Sequence, residues 1–118
     1  MNEQPDDDMA RIDVLAGPTG TTISIVGEVD LANVEAVTSR LANELRPPKV
    51  TLDLRGVRYL DSSGVRMLID VAQMGAAQQI DLEVVVVPGS MVANVLALSQ
   101  FERISAIRAA PAADDTRG

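Results

Sequence analysis

Four consecutive residues, Asp61-Ser62-Ser63-Gly64, bring a carboxylate, two hydroxyls and a residue without a side chain to the front of an amphipathic pattern, VRMLIDVAQ. Serine hydrolysis is the first chemistry such a group suggests, and the rest of the chain excludes it. A serine nucleophile needs an adjacent base, yet the chain has no histidine and one lysine, Lys49. The G-x-S-x-G elbow is absent, because Leu60 stands two positions before Ser62. No G-x-x-x-x-G-K-[ST] loop is present to cradle a nucleotide phosphate. Three readings remain. Asp61 or Ser62 caps a helix, since a side-chain oxygen accepts from a free N–H of the first turn. Alternatively, Ser62 accepts a phosphoryl group from a visiting enzyme, at a helix N-terminus that favours added negative charge. Third, the same terminus serves as an anion site for a small ligand or nucleotide.

Composition narrows the setting. The chain has 118 residues, 47% of them hydrophobic, enough for one domain with a core. Tyr59 and Phe101 are its only aromatics, so the core is aliphatic and no stacking platform for single-stranded nucleic acid exists. A net charge of −7 repels phosphate backbones and gains nothing at an anionic membrane, so neither nucleic acid nor membrane is an expected partner. Absence of cysteine removes disulfides, thiol catalysis and thiolate metal sites; without histidine as well, neither metal nor cofactor is expected. MNEQPDDDM lacks the charged and apolar regions of a signal peptide, and no apolar run nears the ~18 residues of a membrane span. The expected location is the cytoplasm.

The elements that position the tetrapeptide follow from periodicity. Residues 1–9 form an acidic tail, 10–108 the domain, and 109–118 a second tail. Arg11–Leu15 and Thr22–Val26 read as a hairpin around the Gly17-Pro18-Thr19-Gly20 turn, and Gly27-Glu28-Val29-Asp30 ends the second strand. Val34, Val37, Leu41 and Leu45 mark a helix that Pro47-Pro48 stops. Lys49–Leu54 alternates as a strand and Arg55–Leu60 reads as a loop. The next helix begins at Ser62 or Ser63 and runs to Met74, with Val65, Leu68, Ile69 and Ala72 inward and Gly75 as its C-cap. Leu82–Val87 is a near-continuous β-branched run. Pro88-Gly89-Ser90 is a turn with a cap, Met91–Leu98 a short helix with Val92, Val95 and Leu96 inward, and Ile104–Ile107 an edge strand. The order β-β-α-β-α-β-α-β predicts an α/β fold: a mixed sheet, with an opening hairpin and then parallel strands, and helices mainly on one face.

Three stretches together resemble the STAS domain, and within it the bacterial anti-sigma factor antagonists: ISIVGEVDLANVEAV at 23–37, VTLDLRGVRYLDSSGVRMLIDV at 50–71 and LEVVVVPGSMVANVLALSQF at 82–101. The resemblance implies a regulatory binding protein rather than an enzyme. Its unphosphorylated form binds an anti-sigma factor that is also a serine kinase, and so releases a sigma factor. The kinase then modifies the hydroxyl directly after the signature aspartate, here Ser62, and a phosphatase acting on phospho-Ser62 restores the active form. The alternative within the family is a scaffold subunit of a stress-sensing or lipid-transport assembly, with Ser62 only a cap.

On this reading the partner surface comprises Glu28, Asp30, Asp61, Ser62, Ser63, Gly64, Val65, Arg66, Gly89 and Ser90. Asp61 orients the hydroxyl or sharpens the charge change, and Ser63 is a cap or second acceptor. Gly64 lets a partner backbone approach, having no Cβ. Arg66 meets an acidic partner group or is simply solvated, and Asp30 caps the first helix. Val65 stands where the family commonly has leucine. Relatives often end in a further helix, whereas this chain turns to AAPAADDTRG, leaving apolar surface for a weak homodimer.

Overall fold

The computed structural model describes residues 10–112. The two expected tails therefore fall largely outside the described residues, 1–9 wholly and 109–118 from residue 113 on. Five strands, β1 (Ala10–Gly17), β2 (Gly20–Val29), β3 (Lys49–Leu60), β4 (Asp81–Val86) and β5 (Ala106–Ala109), lie in the order β1-β2-β3-β4-β5. β1 and β2 pair antiparallel, and every later pair is parallel. Three helices, α1 (Val34–Glu44), α2 (Ser62–Ala77) and α3 (Met91–Leu98), connect the parallel strands, and a 3₁₀ turn at Phe101–Arg103 precedes β5. This is the predicted mixed α/β sheet.

Register explains why one face carries the helices. Val14, Ile23, Leu52, Val84 and Ile107 form one row across all five strands, and this row belongs to the core. One residue further, the row reads Asp13, Ser24, Asp53, Val85, Arg108. Side chains alternate across a pleated strand, so the first row meets the helices and the second faces outward. Val37 and Leu41 of α1, Val65, Leu68 and Val71 of α2, and Val92 and Leu96 of α3 fill the covered side with Phe101. On the outward face, Arg55 grips Asp53 at 2.8 Å, and this hydrogen bond holds the Asp53 carboxyl below its ordinary value.

Several expected boundaries move. Arg55–Leu60 is strand rather than loop, because β3 stays paired with β2 through two register shifts, from Ser24↔Asp53 to Val29↔Leu60. At the first shift a Cβ on Gly56 would sit 2.9 Å from Val26 Cγ2, so the bulge needs a glycine there. The irregular register breaks the alternation that marks a strand. Gly75 lies inside α2, buried against Ile80 and Leu82, and does not cap it; the helix runs to Ala77, and Gln79 takes the left-handed turn at φ 61°. Ile69 and Val95 are only half-buried, while Met67 and Val71 are buried on α2. β5 starts two residues late because Phe101, fully buried, anchors the preceding turn. Beyond it the Ala110 amide donates to Val86 O at 2.9 Å and Arg55 donates to Pro111 O at 3.1 Å, and no helix follows among the described residues.

Candidate functional site

β2 and β3 end side by side at Val29↔Leu60, and each feeds a turn that opens a helix. The two turns are joined. Asp61 donates its backbone N–H to Val29 O at 3.3 Å. Its carboxylate accepts from Ser63 Oγ at 2.8 Å, from the Gly64 N–H at 3.1 Å, and from the Leu31 N–H of the neighbouring turn at 3.2 Å. The Ser63 hydroxyl is the largest cause of a lowered Asp61 pKa; partial burial opposes it, and the Gly64 and Leu31 amides add to it. Asp61 is thus the N-cap of α2 and the clasp between two loops, not a partner for the hydroxyl of Ser62.

The serine pair divides. Ser63 is half-buried and spends its proton on Asp61, whereas Ser62 is exposed on the first residue of the helix. Gly64 is buried: a Cβ there would stand 2.4 Å from Leu60 Cδ1 and 3.3 Å from Val29 O. Its missing side chain lets α2 close onto its own strand ends, so the expectation that it opens room for a partner is replaced by internal packing. Val65 is buried beside it. Arg66 is exposed and pairs with Asp70 one turn on at 3.3 Å.

Asp30 does not cap α1 with its side chain. Its Oδ1 accepts from the Ala32 N–H at 2.9 Å, within the turn before the helix, while its carbonyl receives the Asn33 and Val34 amides. Asn33, only 7% exposed, locks that turn by accepting from the Asp30 N–H at 3.0 Å and donating to Glu28 O at 2.9 Å. Glu28 is half-buried, 3.9 Å from Arg58. Gly89 and Ser90 lie in the turn between β4 and α3. There Ser90 caps α3 by accepting from the Ala93 N–H at 3.1 Å.

Two apolar residues that the sequence reading leaves out join the mouth: Leu31, 77% exposed, and Tyr59, 45% exposed. A groove of about 430 Å³ lies between α1 and α2, lined by Val34, Glu35, Thr38, Ser63, Arg66 and Asp70 among others. Among the described residues, no three His, Cys, Asp or Glu side chains are grouped to hold a metal, and no helix is long and apolar enough to cross a membrane.

The sequence model of the STAS domain matches residues 11–113, nearly the whole described chain. This protein belongs to the STAS family. No curated protein matches it significantly. Solved structures similar to this STAS domain include an anti-sigma factor antagonist from Mycobacterium paratuberculosis, at 18% identity, TM-score 0.72 and 86% coverage of each chain. The anti-sigma factor antagonist SpoIIAA in its unphosphorylated form aligns at 16% identity and TM-score 0.68, over 86% of this chain and 87% of that one. A STAS domain protein from Planctomyces limnophilus, described as an anti-sigma-factor antagonist, aligns at 22% identity and TM-score 0.67, over 86% and 91%.

Proposed function

We propose that this STAS domain is an anti-sigma factor antagonist gated at Ser62. The unmodified form docks on an anti-sigma factor with serine kinase activity through the mouth formed by the 30–33 turn, the Asp61 clasp and the first turn of α2. The observation that carries this reading is the division of the serine pair, with Ser62 exposed at the helix N-terminus while Ser63 is tied to Asp61. Exposed Leu31 and Tyr59 supply apolar contact area beside that hydroxyl. A phosphate there carries roughly −1.5 to −2 charges. It meets free N–H groups of α2, so the fold tolerates it, and it changes the face that a partner sees. A phosphatase resets the cycle by removing it. The domain itself supplies a surface and an acceptor, with the chemistry done by its partners.

The test is to incubate the protein with its cognate anti-sigma kinase and ATP-magnesium and to map the modification by mass spectrometry. Modification on Ser62, retained in Ser63→Ala and lost in Ser62→Ala, is expected. A chain that stays unmodified while the kinase binds wild type and Ser62→Ala equally, with or without ATP, rules the gating out.

A further inference from the structure

β1 is an edge strand: among the described residues its one neighbour in the sheet is β2. Natural edges are blunted by bulges, prolines, charges or shortness. β1 is little protected in this way. Its eight residues, ARIDVLAG, hold no proline, their only charges are Arg11 and Asp13, and they pair with β2 without a register shift from Ala10↔Gly27 to Gly17↔Gly20.

The direction of its free backbone groups follows from the hairpin. A two-residue loop is closed by a hydrogen-bonded pair, here Gly17↔Gly20, and bonded and non-bonded pairs alternate from there. Arg11, Asp13 and Leu15 therefore spend their N–H and C=O groups on β2, while Ala10, Ile12 and Val14 turn theirs to the outer edge. Side chains divide the same way. Ala10, Ile12 and Val14 are half-buried against the core on the helix face, whereas Arg11, Asp13 and Leu15 are exposed on the other. Ala10 and Ile12 line a groove of about 680 Å³ with Val37 and Arg40 of α1, so the helix layer does not close over this stretch of edge.

Charge says what pairs there. We infer that β1 docks antiparallel on β1 of a second copy of this chain, about a two-fold axis at Ile12, and joins the two sheets into one. In that register Ile12 faces the partner's Ile12, Arg11 faces the partner's Asp13, and Ala10 faces the partner's Val14. Arg11 and Asp13 stand 3.2 Å apart within one chain, with side chains 69% and 61% exposed, and each gains an opposite charge across the seam. The next register in either direction sets two Arg11 or two Asp13 side chains face to face, which is unfavourable. The charges thus choose the register, and the outward backbone groups with the remaining surface of Ile12 and Val14 supply the affinity. The seam lies on the opposite edge of the sheet from β5, away from the C-terminal surface expected to support a homodimer, and it does not rest on the reading of Ser62.

The test follows the full-length chain by sedimentation velocity from micromolar to millimolar concentration, and by NMR amide exchange at both ends of that range. The expected result is a concentration-dependent dimer in which the Ile12 and Val14 amides exchange at least about tenfold more slowly at the upper concentration. The Arg11 and Asp13 amides, already bonded within the hairpin, change less. Arg11→Asp and Asp13→Arg are each expected to lower the association constant at least about tenfold, because the seam pairs become like-charged. Mixing the two variants is expected to restore association, since every pair across the seam is then opposite in charge, and the recovery shows that both variants are folded. A chain that stays monomeric throughout the range overturns the inference. So does a dimer whose Ile12 and Val14 amides gain no protection, or one that both single variants form as readily as the native chain.

Discussion

Two helices of this domain begin with the same local device and differ in everything around it. α2 and α3 each follow a parallel strand, and each is capped by a side-chain oxygen that accepts from the third amide of the helix, Asp61 from Gly64 and Ser90 from Ala93. Ser90 makes that one bond. Asp61 also holds Ser63 and reaches across to Leu31, so it ties its helix to the next turn of the sheet. After the cap, α3 presents Met91, whereas α2 presents the exposed hydroxyl of Ser62. Capping alone therefore marks a helix start; the proposed gating at Ser62 rests on a cap that clasps two loops and leaves a hydroxyl outside.

The sharpest break of this comparison is to charge both helix starts. Ser62→Asp is expected to weaken binding of the proposed anti-sigma partner by up to about a thousandfold, since like charges ~4 Å apart at an effective dielectric of ~20 repel by about 4 kcal/mol. Ser90→Asp, at the start of α3 rather than at the proposed mouth, is expected to change affinity by less than about tenfold, because exposed charges that are not in direct contact are weakened by screening over a length of roughly 10 Å. Calorimetric titration of both variants checks this. Equal losses would erase the distinction between the two helices.

Next in size is the packing beneath the clasp. Gly64→Ala forces a methyl into Leu60 and towards Val29 O, and is expected to destabilise by about 1–3 kcal/mol. Gly75→Ala, farther along the same helix, meets nothing closer than 3.8 Å and is expected to stabilise by up to about 1 kcal/mol through helix propensity. Opposite shifts in urea midpoint are the signature. Removing the caps follows: Asp61→Ala is expected to cost about 2 kcal/mol and Ser90→Ala about 1 kcal/mol, the upper end and the middle of the range for N-caps, because only Asp61 also supports Leu31.

Much of this contrast is legible in the amino-acid sequence, and the rest is not, for identifiable reasons. Periodicity places all three helices and the order of all five strands, because the rows Val14-Ile23-Leu52-Val84-Ile107 and Asp13-Ser24-Asp53-Val85-Arg108 alternate in sequence as they do in space. It loses the second half of β3, where a bulge at Gly56 shifts the alternation. It mistakes Gly75 for a terminus because glycine ends helices more often than it packs inside them. At the site, Asp-Ser-Ser-Gly is legible as a helix start, but not which serine is free. That depends on a hydrogen bond from Ser63 to Asp61. The clasp to Leu31 joins residues thirty positions apart, and no local pattern reports it. Leu31 and Tyr59 are visible as letters and silent as to exposure.

The smallest expected effect separates the clasp from an ordinary cap by its charge. Asparagine is as good an N-cap as aspartate, so Asp61→Asn retains an acceptor and loses only the ionised character of three bonds, which are stronger when the acceptor is charged. The folded chain holds the Asp61 carboxyl below its ordinary value, so the ionised form contributes fully above the unfolded value, about 3.9. That contribution fades as pH falls through the depressed folded value. The stability gap between wild type and Asp61→Asn should then be flat from about pH 5 to 7 and narrow below about pH 4. The gap for Ser90→Ala should stay flat throughout, since no proton leaves or joins at Ser90. Asp53, lowered by Arg55, loses its own contribution on acidification, but every chain in the comparison keeps that pair and the loss cancels in the differences. Urea unfolding at neutral and acid pH reads both gaps. A gap for Asp61→Asn that holds constant into acid would mean that the carboxylate clasps the two turns no better than an amide, and that the two helix starts differ only in what stands beside them.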